Sequence, residues 1–145
     1  MTYKSDGTAV FFQARFESRR CPGKITRALH GKSSILEIIM KRFFDVYRDF
    51  TNEMTPFLLI PDTQGSTHIE FLANSFQDLN VIRGDPTNVL LRFQNGLRQV
   101  STKSPFSAII RVCCDNPFID FASIHRSLIN YQVQGKEYYQ PYFKG

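Results

Sequence analysis

The stretch "TAVFFQARFESRRCPGK", residues 8 to 24, joins an apolar run directly to a basic loop. The apolar run, Thr8 to Gln13, predicts a buried β-strand, and "CPG" then interrupts regular structure. Basic side chains crowd the loop: Arg15, Arg19, Arg20 and Lys24. Such a cluster suits the oxygens of a phosphate group, and a solvated basic loop explains the composition equally well.

Further apolar runs recur along the chain and predict additional strands: Pro56 to Ile60, Asn80 to Arg83, and Ser107 to Cys114. Strands that are apolar on both faces and are separated by helices imply a mostly parallel sheet with helices on each side. The predicted fold is therefore α/β, a Rossmann-like three-layer sandwich forming a single domain over residues 1–145. Ligands of such sheets lie beyond the carboxyl ends of the strands, so the loops that follow these strands form the candidate site.

Helix-start patterns separate the predicted strands. Two of them have capping-box spacing, Ser34 with Glu37 and Thr67 with Glu70. The other two are cap residues, Asp85, which is followed by Pro86 at the first helical position, and Asp120. The helix that begins near Asp85 is expected to face inward through an apolar set: Val89, Leu90, Phe93, Leu97 and Val100. Lys136 to Tyr139 would begin another strand.

The composition of the 145-residue chain, 42% hydrophobic and 21% charged, is that of one globular domain. The net charge of +5 is compatible with an anionic ligand, and no nucleic-acid motif accompanies it, so we expect no nucleic-acid partner. No window approaches the roughly 18 apolar residues of a membrane span, and the start lacks a signal-peptide core. We therefore expect a cytoplasmic protein without membrane contact, with reduced thiols because its three cysteines include no C-x-x-C pair.

Three segments together resemble a known family. "QARFESRRCPGK" followed by "LHGKSSILEIIMKR" is similar to the pattern Q/P-A-R-x-x-S-x-R-x-P-G-K, G-K-P-L and helix of the cytidylyltransferases that activate sugar acids. "VIRGDPTNVLLRF" and "IIRVCCDNPFID" resemble two later motifs of that family, in the same order. The resemblance is to the spore-coat polysaccharide biosynthesis type, which is related to the acylneuraminate and 3-deoxy-manno-octulosonate cytidylyltransferases.

The resemblance implies a fold of the nucleotide-diphospho-sugar transferase type and a reaction. A family member transfers CMP from CTP to a hydroxyl of a sugar or sugar acid and releases pyrophosphate, with Mg²⁺ as cofactor, in the biosynthesis of a surface polysaccharide or glycoconjugate. The implied partners are CTP and the sugar, and a homodimer or a paralogue partner is compatible with the family.

The resemblance also assigns roles to residues of the basic loop and of the last motif. Arg15 and Lys24 match the catalytic positions that hold the triphosphate, and Asp115 matches the carboxylate that binds magnesium. The matched nucleotide-binding positions are Gln13, Ala14, Ser18 and Arg20. Asp62, which follows the second strand, is a weaker candidate for the site.

Departures from the family pattern leave an alternative function open. Glu17 replaces a glycine and would weaken anion binding unless its carboxylate points away or pairs with Arg19. Cys114 replaces another glycine and could block close approach of a nucleotide. By this resemblance the chain would end near the middle of the family fold, so the resemblance implies a truncated protein. It would then act as a non-catalytic copy that binds a nucleotide or a partner protein.

Overall fold

The computed structural model describes residues 7–29, 31, 33–49, 54–102 and 106–134. The elements follow in chain order as β1 (Thr8–Gln13), β2 (Ala28–Leu29), β3 (Ser33–Ser34), α1 (Ile35–Tyr47), β4 (Met54–Pro61), α2 (Ser66–Ala73), β5 (Asn80–Gly84), α3 (Val89–Ser101), β6 (Ala108–Cys113) and α4 (Phe121–Gln134). The predicted strand at Lys136 to Tyr139 lies outside the described residues.

The main sheet has the strand order β5-β4-β1-β6, and every pair in it is parallel. Gln13, at the end of β1, stands in register with Leu59 of β4 on one side and with Cys113 of β6 on the other. The short β2 and β3 pair antiparallel and form a separate ribbon before α1. The predicted α/β class with a parallel sheet is thus confirmed.

The alternation of side chains along β1 divides the interior into two cores. Val10 and Phe12 belong to the larger core, which also includes residues of α1, α2 and α4. Ala9 and Phe11 belong to the smaller core, with Val100 of α3. Because β1 is buried throughout and carries helices on both faces, the molecule has the three layers expected from the sequence.

Helix α1 begins where the sequence predicts. The Ser34 hydroxyl accepts a hydrogen bond from the Glu37 amide at 3.2 Å, and the Glu37 carboxylate accepts one from the Ser34 amide at 3.1 Å. This reciprocal capping box satisfies two backbone donors that the first turn of a helix leaves unpaired. The cap at Asp120 is confirmed as well, because its carboxylate accepts from the Ser123 amide at the start of α4.

Two predicted helix starts are wrong. Helix α2 already begins at Ser66, and Gly65 occupies the cap position, so Thr67 lies inside the helix. The Ser66 and Thr67 amides donate to backbone carbonyls of the preceding turn, which extends the helix upstream of the predicted cap. Helix α3 begins at Val89, because the Asp85 carboxylate binds the Asn88 amide in a turn of its own.

The inward face of α3 also differs from the prediction. Val89 and Leu90 are exposed, at 37% and 65%, and are not part of the inward face. Val100 is buried as predicted, and Arg92 and Gly96 complete the face that packs on the sheet. Gly96 permits this close packing, since a Cβ atom there would lie 2.8 Å from a methyl group of Leu59. Phe93 and Leu97 pack against the smaller core as predicted, although they are only partly buried. Across the described residues, no helix combines the length and apolarity needed to span a membrane.

Candidate functional site

A cleft of about 230 Å³ opens at the carboxyl ends of β1 and β6, beside the start of α3. Its walls are formed by Gln13, Ala14, Arg15, Ser18, Lys24, Ile25, Val89, Arg92, Arg111, Cys113, Cys114 and Asp115. These residues include the cations Arg15, Lys24, Arg92 and Arg111, against the single carboxylate of Asp115. Because small-molecule sites usually enclose about 300–1,000 Å³, a nucleotide would extend from this cleft over the adjoining surface.

The loop after β1 brings Arg15 and Lys24 to the same cleft. The Gly23 amide donates to the Phe16 carbonyl at 2.8 Å, which folds the loop back on itself. Gly23 has a φ of 71°, and a Cβ atom at that position would lie 2.9 Å from the Phe16 ring. The turn therefore requires glycine both for its backbone angle and for space, as the "PG" pair predicted.

Most of the site residues predicted from the sequence meet in this cleft. Gln13, Ala14 and Ser18 line it together with Arg15 and Lys24. Asp115 reaches it from the segment that follows β6. Arg20 is exposed on the loop outside the cleft wall, so the structure does not bring it to the other site residues.

Arg92 was not predicted from the sequence, because the pattern of its helix was interpreted from the apolar residues alone. It is 3% exposed and lines the cleft, and its Nε donates to the Asp85 carbonyl at 2.8 Å. Burial lowers the pKa of Arg92, and the nearby Arg15 lowers it further, whereas the charges of Asp85 and Glu17 partly offset this shift. An arginine at a buried position of an amphipathic helix was the pattern that could have identified it.

Arg111 was also missed, although it is a charged residue inside an otherwise apolar strand. Its Nε and one terminal nitrogen donate to the Gln13 Oε1 at 3.0 and 2.8 Å, so the contact joins β6 to the end of β1. Gln13 Nε2 is shielded from solvent and has no hydrogen-bond partner among the described residues. Gln13 thus lines the cleft while one of its buried donors is unused.

The Glu17 carboxylate is held by a contact outside the cleft lining. It accepts a hydrogen bond from the Thr63 hydroxyl at 2.8 Å, in the turn that follows β4. Phe16 stacks on His68 of α2 beside this contact, with ring centroids 5.2 Å apart. The carboxylate is therefore held by Thr63, and not by Arg19, the partner predicted from the sequence.

The loops after β4 and β5 contribute no wall to the cleft within the described residues. Arg83, near the end of β5, binds the Glu70 carboxylate at 2.7 Å and Asp62 at 3.4 Å. The hydrogen bond and charge of Glu70 raise the pKa of Arg83. Asp62, the weaker candidate of the sequence analysis, is therefore part of this ion-pair group and does not line the cleft.

The vicinal cysteines differ in environment although both line the cleft. Cys113 is exposed, and Cys114 is 4% exposed and belongs to the larger core. Burial raises the pKa of the Cys114 thiol, and the neighbouring Cys113 and Asp115 raise it further. Cys114 is thus a protonated wall residue at neutral pH, because the thiolate form is disfavoured.

The residues of the cleft fit a magnesium ion only in company with a ligand. No group of three His, Cys, Asp or Glu side chains able to hold a metal occurs in the part of the chain that the structure describes. Mg²⁺ is commonly held by one or two carboxylates together with phosphate oxygens and water. Asp115 with the surrounding cations matches that second arrangement, in which the ion arrives with the phosphate.

Known proteins resemble this chain in sequence and in fold. No protein-family model matches the chain. The chain is 32% identical over 132 residues to the spore coat polysaccharide biosynthesis protein SpsF of Bacillus subtilis (strain 168), covering 87% of this chain and 50% of that protein. The chain thus spans about half the length of this relative.

Two solved structures share the fold. A cytidylyltransferase from Leptospira borgpetersenii serovar Hardjo-bovis (strain JB197) superposes with a TM-score of 0.71 at 21% identity, over 88% of this chain and 50% of that chain. A CMP:2-keto-3-deoxy-manno-octonic acid synthetase, solved in complex with CTP, superposes with a TM-score of 0.64 at 17% identity, over 90% of this chain and 49% of that chain.

Fold and cleft together define a Rossmann-like α/β protein that shares the fold of these two solved structures. The comparisons agree with the family predicted from the motifs: the chain is similar in sequence to SpsF and shares the fold of the two solved structures, over about half the length of each of those proteins.

Proposed function

We propose that the cleft binds the triphosphate of CTP and that the chain carries the nucleotide-binding part of a cytidylyltransferase. The complete reaction would transfer CMP to a sugar or sugar acid, in the biosynthesis of a surface polysaccharide or glycoconjugate. The observation that carries this proposal is the charge of the cleft, whose walls set Arg15, Lys24, Arg92 and Arg111 against the lone carboxylate of Asp115.

A triphosphate is the ligand that suits this charge. Arg15 and Lys24 are exposed and have long, flexible side chains. Their charged groups can therefore adapt to the positions of phosphate oxygens from the loop side. Arg92 reaches the cleft from α3 and is buried, so its charge interacts more strongly with an anion because water is excluded from it. Burial lowers the pKa of Arg92, and an anion bound beside it would raise that pKa again because it stabilises the charged form.

The same cations would act on the reaction itself. A hydroxyl oxygen of the sugar forms a bond to the α-phosphorus of CTP, the bond from that phosphorus to the bridging oxygen breaks, and pyrophosphate leaves while the hydroxyl proton passes to solvent. Negative charge accumulates on the leaving pyrophosphate, where Arg15 and Lys24 would stabilise it. Mg²⁺ held by Asp115 and phosphate oxygens would neutralise part of that charge.

The descriptions of the similar proteins support the proposal. SpsF is a spore coat polysaccharide biosynthesis protein, and one of the structural neighbours was solved with CTP. The sugar remains part of the proposal, because the relatives extend over about twice the length that the chain matches.

One observation favours a second candidate function. Asp115 is the single carboxylate among the residues that line the cleft, within the described chain. A copy with this cleft could bind a nucleotide, or a partner protein beside it, without turning it over. Binding of CTP without release of pyrophosphate would distinguish this function from the first.

The test is Mg²⁺-dependent binding of CTP to the 145-residue chain, measured by calorimetry with ATP as the comparator. Lys24→Ala and Arg15→Ala should each lower the affinity about tenfold or more, since charge-assisted hydrogen bonds contribute about 1.5–3 kcal/mol. Arg19→Ala is the matched control, because it removes the same charge from the same loop outside the cleft wall. Equal losses in Arg19→Ala and Lys24→Ala would contradict the proposed site.

Asp115→Asn tests the metal part of the proposal separately. It should abolish the Mg²⁺ dependence of CTP binding while leaving the chain folded, because the Asp115 side chain is exposed. An assay of pyrophosphate release from CTP with a panel of sugars then tests turnover. Unchanged Mg²⁺ dependence in the variant would remove Asp115 from the site.

A further inference from the structure

The amide of Gln13 has a fixed orientation at the cleft. Its Oε1 accepts two hydrogen bonds from the Arg111 guanidinium, at 3.0 and 2.8 Å. A guanidinium has donors only, so the reversed amide would set donors against donors. The charge of Arg111 therefore determines that the oxygen of Gln13 faces β6 and that Nε2 is the group left for another partner.

That Nε2 group is a donor without an acceptor. Gln13 is 9% exposed, its Nε2 is buried, and no described residue accepts a hydrogen bond from it. A buried donor left unpaired costs about 1–3 kcal/mol. Because Gln13 lines the cleft, a bound ligand can supply the missing acceptor, and a ligand that presents a donor there would be rejected.

The chemistry of this donor differs from that of the basic loop. Arg15 and Lys24 are charged and exposed, which suits phosphate oxygens. The Gln13 amide is neutral and buried, which suits an uncharged acceptor such as a ring nitrogen of a base. Among the pyrimidines, cytosine has a bare acceptor at ring position N3, whereas uracil carries an N–H donor there.

We propose that Gln13 selects the base of the bound nucleotide by donating from Nε2 to N3 of cytosine, and that Arg111 is the positioning residue that sets this polarity. The proposal rests on the proposed nucleotide function, since it assigns the base of the same ligand. The cleft then binds phosphate and also distinguishes, at the end of β1, a base that presents a hydrogen-bond acceptor from one that presents a donor.

The experiment compares the affinities of the full chain for CTP, UTP and inorganic tripolyphosphate, each with Mg²⁺, by calorimetry. CTP should bind about tenfold or more tighter than UTP, because UTP would set a donor against the Gln13 donor. Tripolyphosphate, which has no base, reports the phosphate contacts alone. Its affinity corrects each variant for any change in the charge of the cleft.

Gln13→Glu is the decisive variant, because its carboxylate keeps an acceptor for Arg111 and lacks the donor. The ratio of CTP to UTP affinity should fall at least about tenfold. Gln13→Met removes the donor without adding charge and should bring the ratio toward unity. Arg111→Met should lower the ratio as well, because the amide is then free to turn, and Arg19→Ala should leave it unchanged.

The outcomes separate the two proposals. If neither CTP nor tripolyphosphate binds to the folded wild-type chain, the proposed nucleotide function fails and this inference fails with it. If tripolyphosphate and CTP bind but folded Gln13→Glu and Gln13→Met keep the wild-type ratio of CTP to UTP, the base-selecting role is overturned while the phosphate cleft stands.

Discussion

Glu17 and Thr63 are joined by a 2.8 Å hydrogen bond from the Thr63 hydroxyl to the Glu17 carboxylate. This contact ties the loop after β1 to the turn after β4, and it holds the one acidic side chain between Arg15 and Arg19. The basic loop can carry a carboxylate because a neighbouring turn supplies that carboxylate with a donor.

Thr63→Val should lower the affinity of the cleft for tripolyphosphate several-fold. The substitution keeps the shape of the side chain and removes the donor, so the Glu17 carboxylate is free to turn toward the cations and compete with the anion. Glu17→Gln should leave the affinity equal or higher, because its amide oxygen still accepts from Thr63 and the negative charge is gone. Calorimetry with both single variants and the double variant measures these effects.

The double variant identifies the cause. If the charge of Glu17 produces the loss, Thr63→Val should have little effect in the Glu17→Gln background, as a double-mutant cycle would show. A loss of the same size in both backgrounds would mean that Thr63 acts through the structure of its turn.

Arg92→Met should separate binding from stability. The affinity for tripolyphosphate should fall about tenfold or more, since a charge-assisted contact is lost. The free energy of unfolding should fall by no more than about 1 kcal/mol, because loss of the hydrogen bond to the Asp85 carbonyl is offset by relief of the buried charge. Urea denaturation and calorimetry on one preparation measure both quantities. Unchanged affinity together with a loss of several kcal/mol would make Arg92 a structural residue.

The two adjacent cysteines should react differently with iodoacetamide near neutral pH. Cys113 is exposed and should be alkylated, whereas burial raises the pKa of Cys114 and shields it from the reagent. Peptide mass spectrometry before and after unfolding measures each site, with unfolded chain as the control for intrinsic reactivity. Because Cys113 lines the cleft, CTP with Mg²⁺ should slow its alkylation. Rapid alkylation of Cys114 in the folded chain would contradict the packing of this segment.

Asp85 should make stability depend on pH in the acid range. Hydrogen bonds from the Asn88 and Thr87 amides lower the pKa of Asp85 below its ordinary value. The stabilisation is therefore complete above the unfolded-state pKa of about 3.9 and is lost as pH falls through the lower folded-state pKa. The Asp85→Asn variant has no carboxyl group to titrate at this position. Its free energy of unfolding should therefore lie below that of wild type by an amount that shrinks as the pH falls.

Urea denaturation of both proteins between about pH 3 and about pH 6 measures this difference. Asp78→Asn, in the loop before β5, controls for the loss of one exposed carboxylate. A difference between wild type and Asp85→Asn that stays constant across the range would show that the turn does not depend on ionised Asp85.

The sequence predicted the features that depend on neighbouring residues. The apolar run of β1 is buried on both faces, and a strand of this kind forms the middle of a parallel sheet. The Ser34 and Glu37 cap formed as predicted because its bonds span a single turn. Arg15, Ser18 and Lys24 reach one cleft because they lie on one loop, and Gly23 turns that loop back.

Where local contacts competed, the sequence patterns were less informative. Both Asp85 with Pro86 and Asn88 are compatible with a helix start, and the hydrogen bonds that Asp85 makes to the Thr87 and Asn88 amides shift the start to Val89. Helix α3 also packs through Arg92 and Gly96, which an apolar count does not identify. The contact between Gly96 and Leu59 depends on how near the helix lies to the sheet.

The α/β class, the position of the basic loop and the family to which the motifs point thus follow from local sequence patterns. Which distant side chains join that loop depends on the three-dimensional packing of the strands and helices. The strand order β5-β4-β1-β6 sets Arg111 beside Gln13, 98 positions apart in the chain, and helix α3 brings Arg92 to the same cleft. Side chains so far apart carry no local pattern, because their contact is created by strand pairing and helix packing.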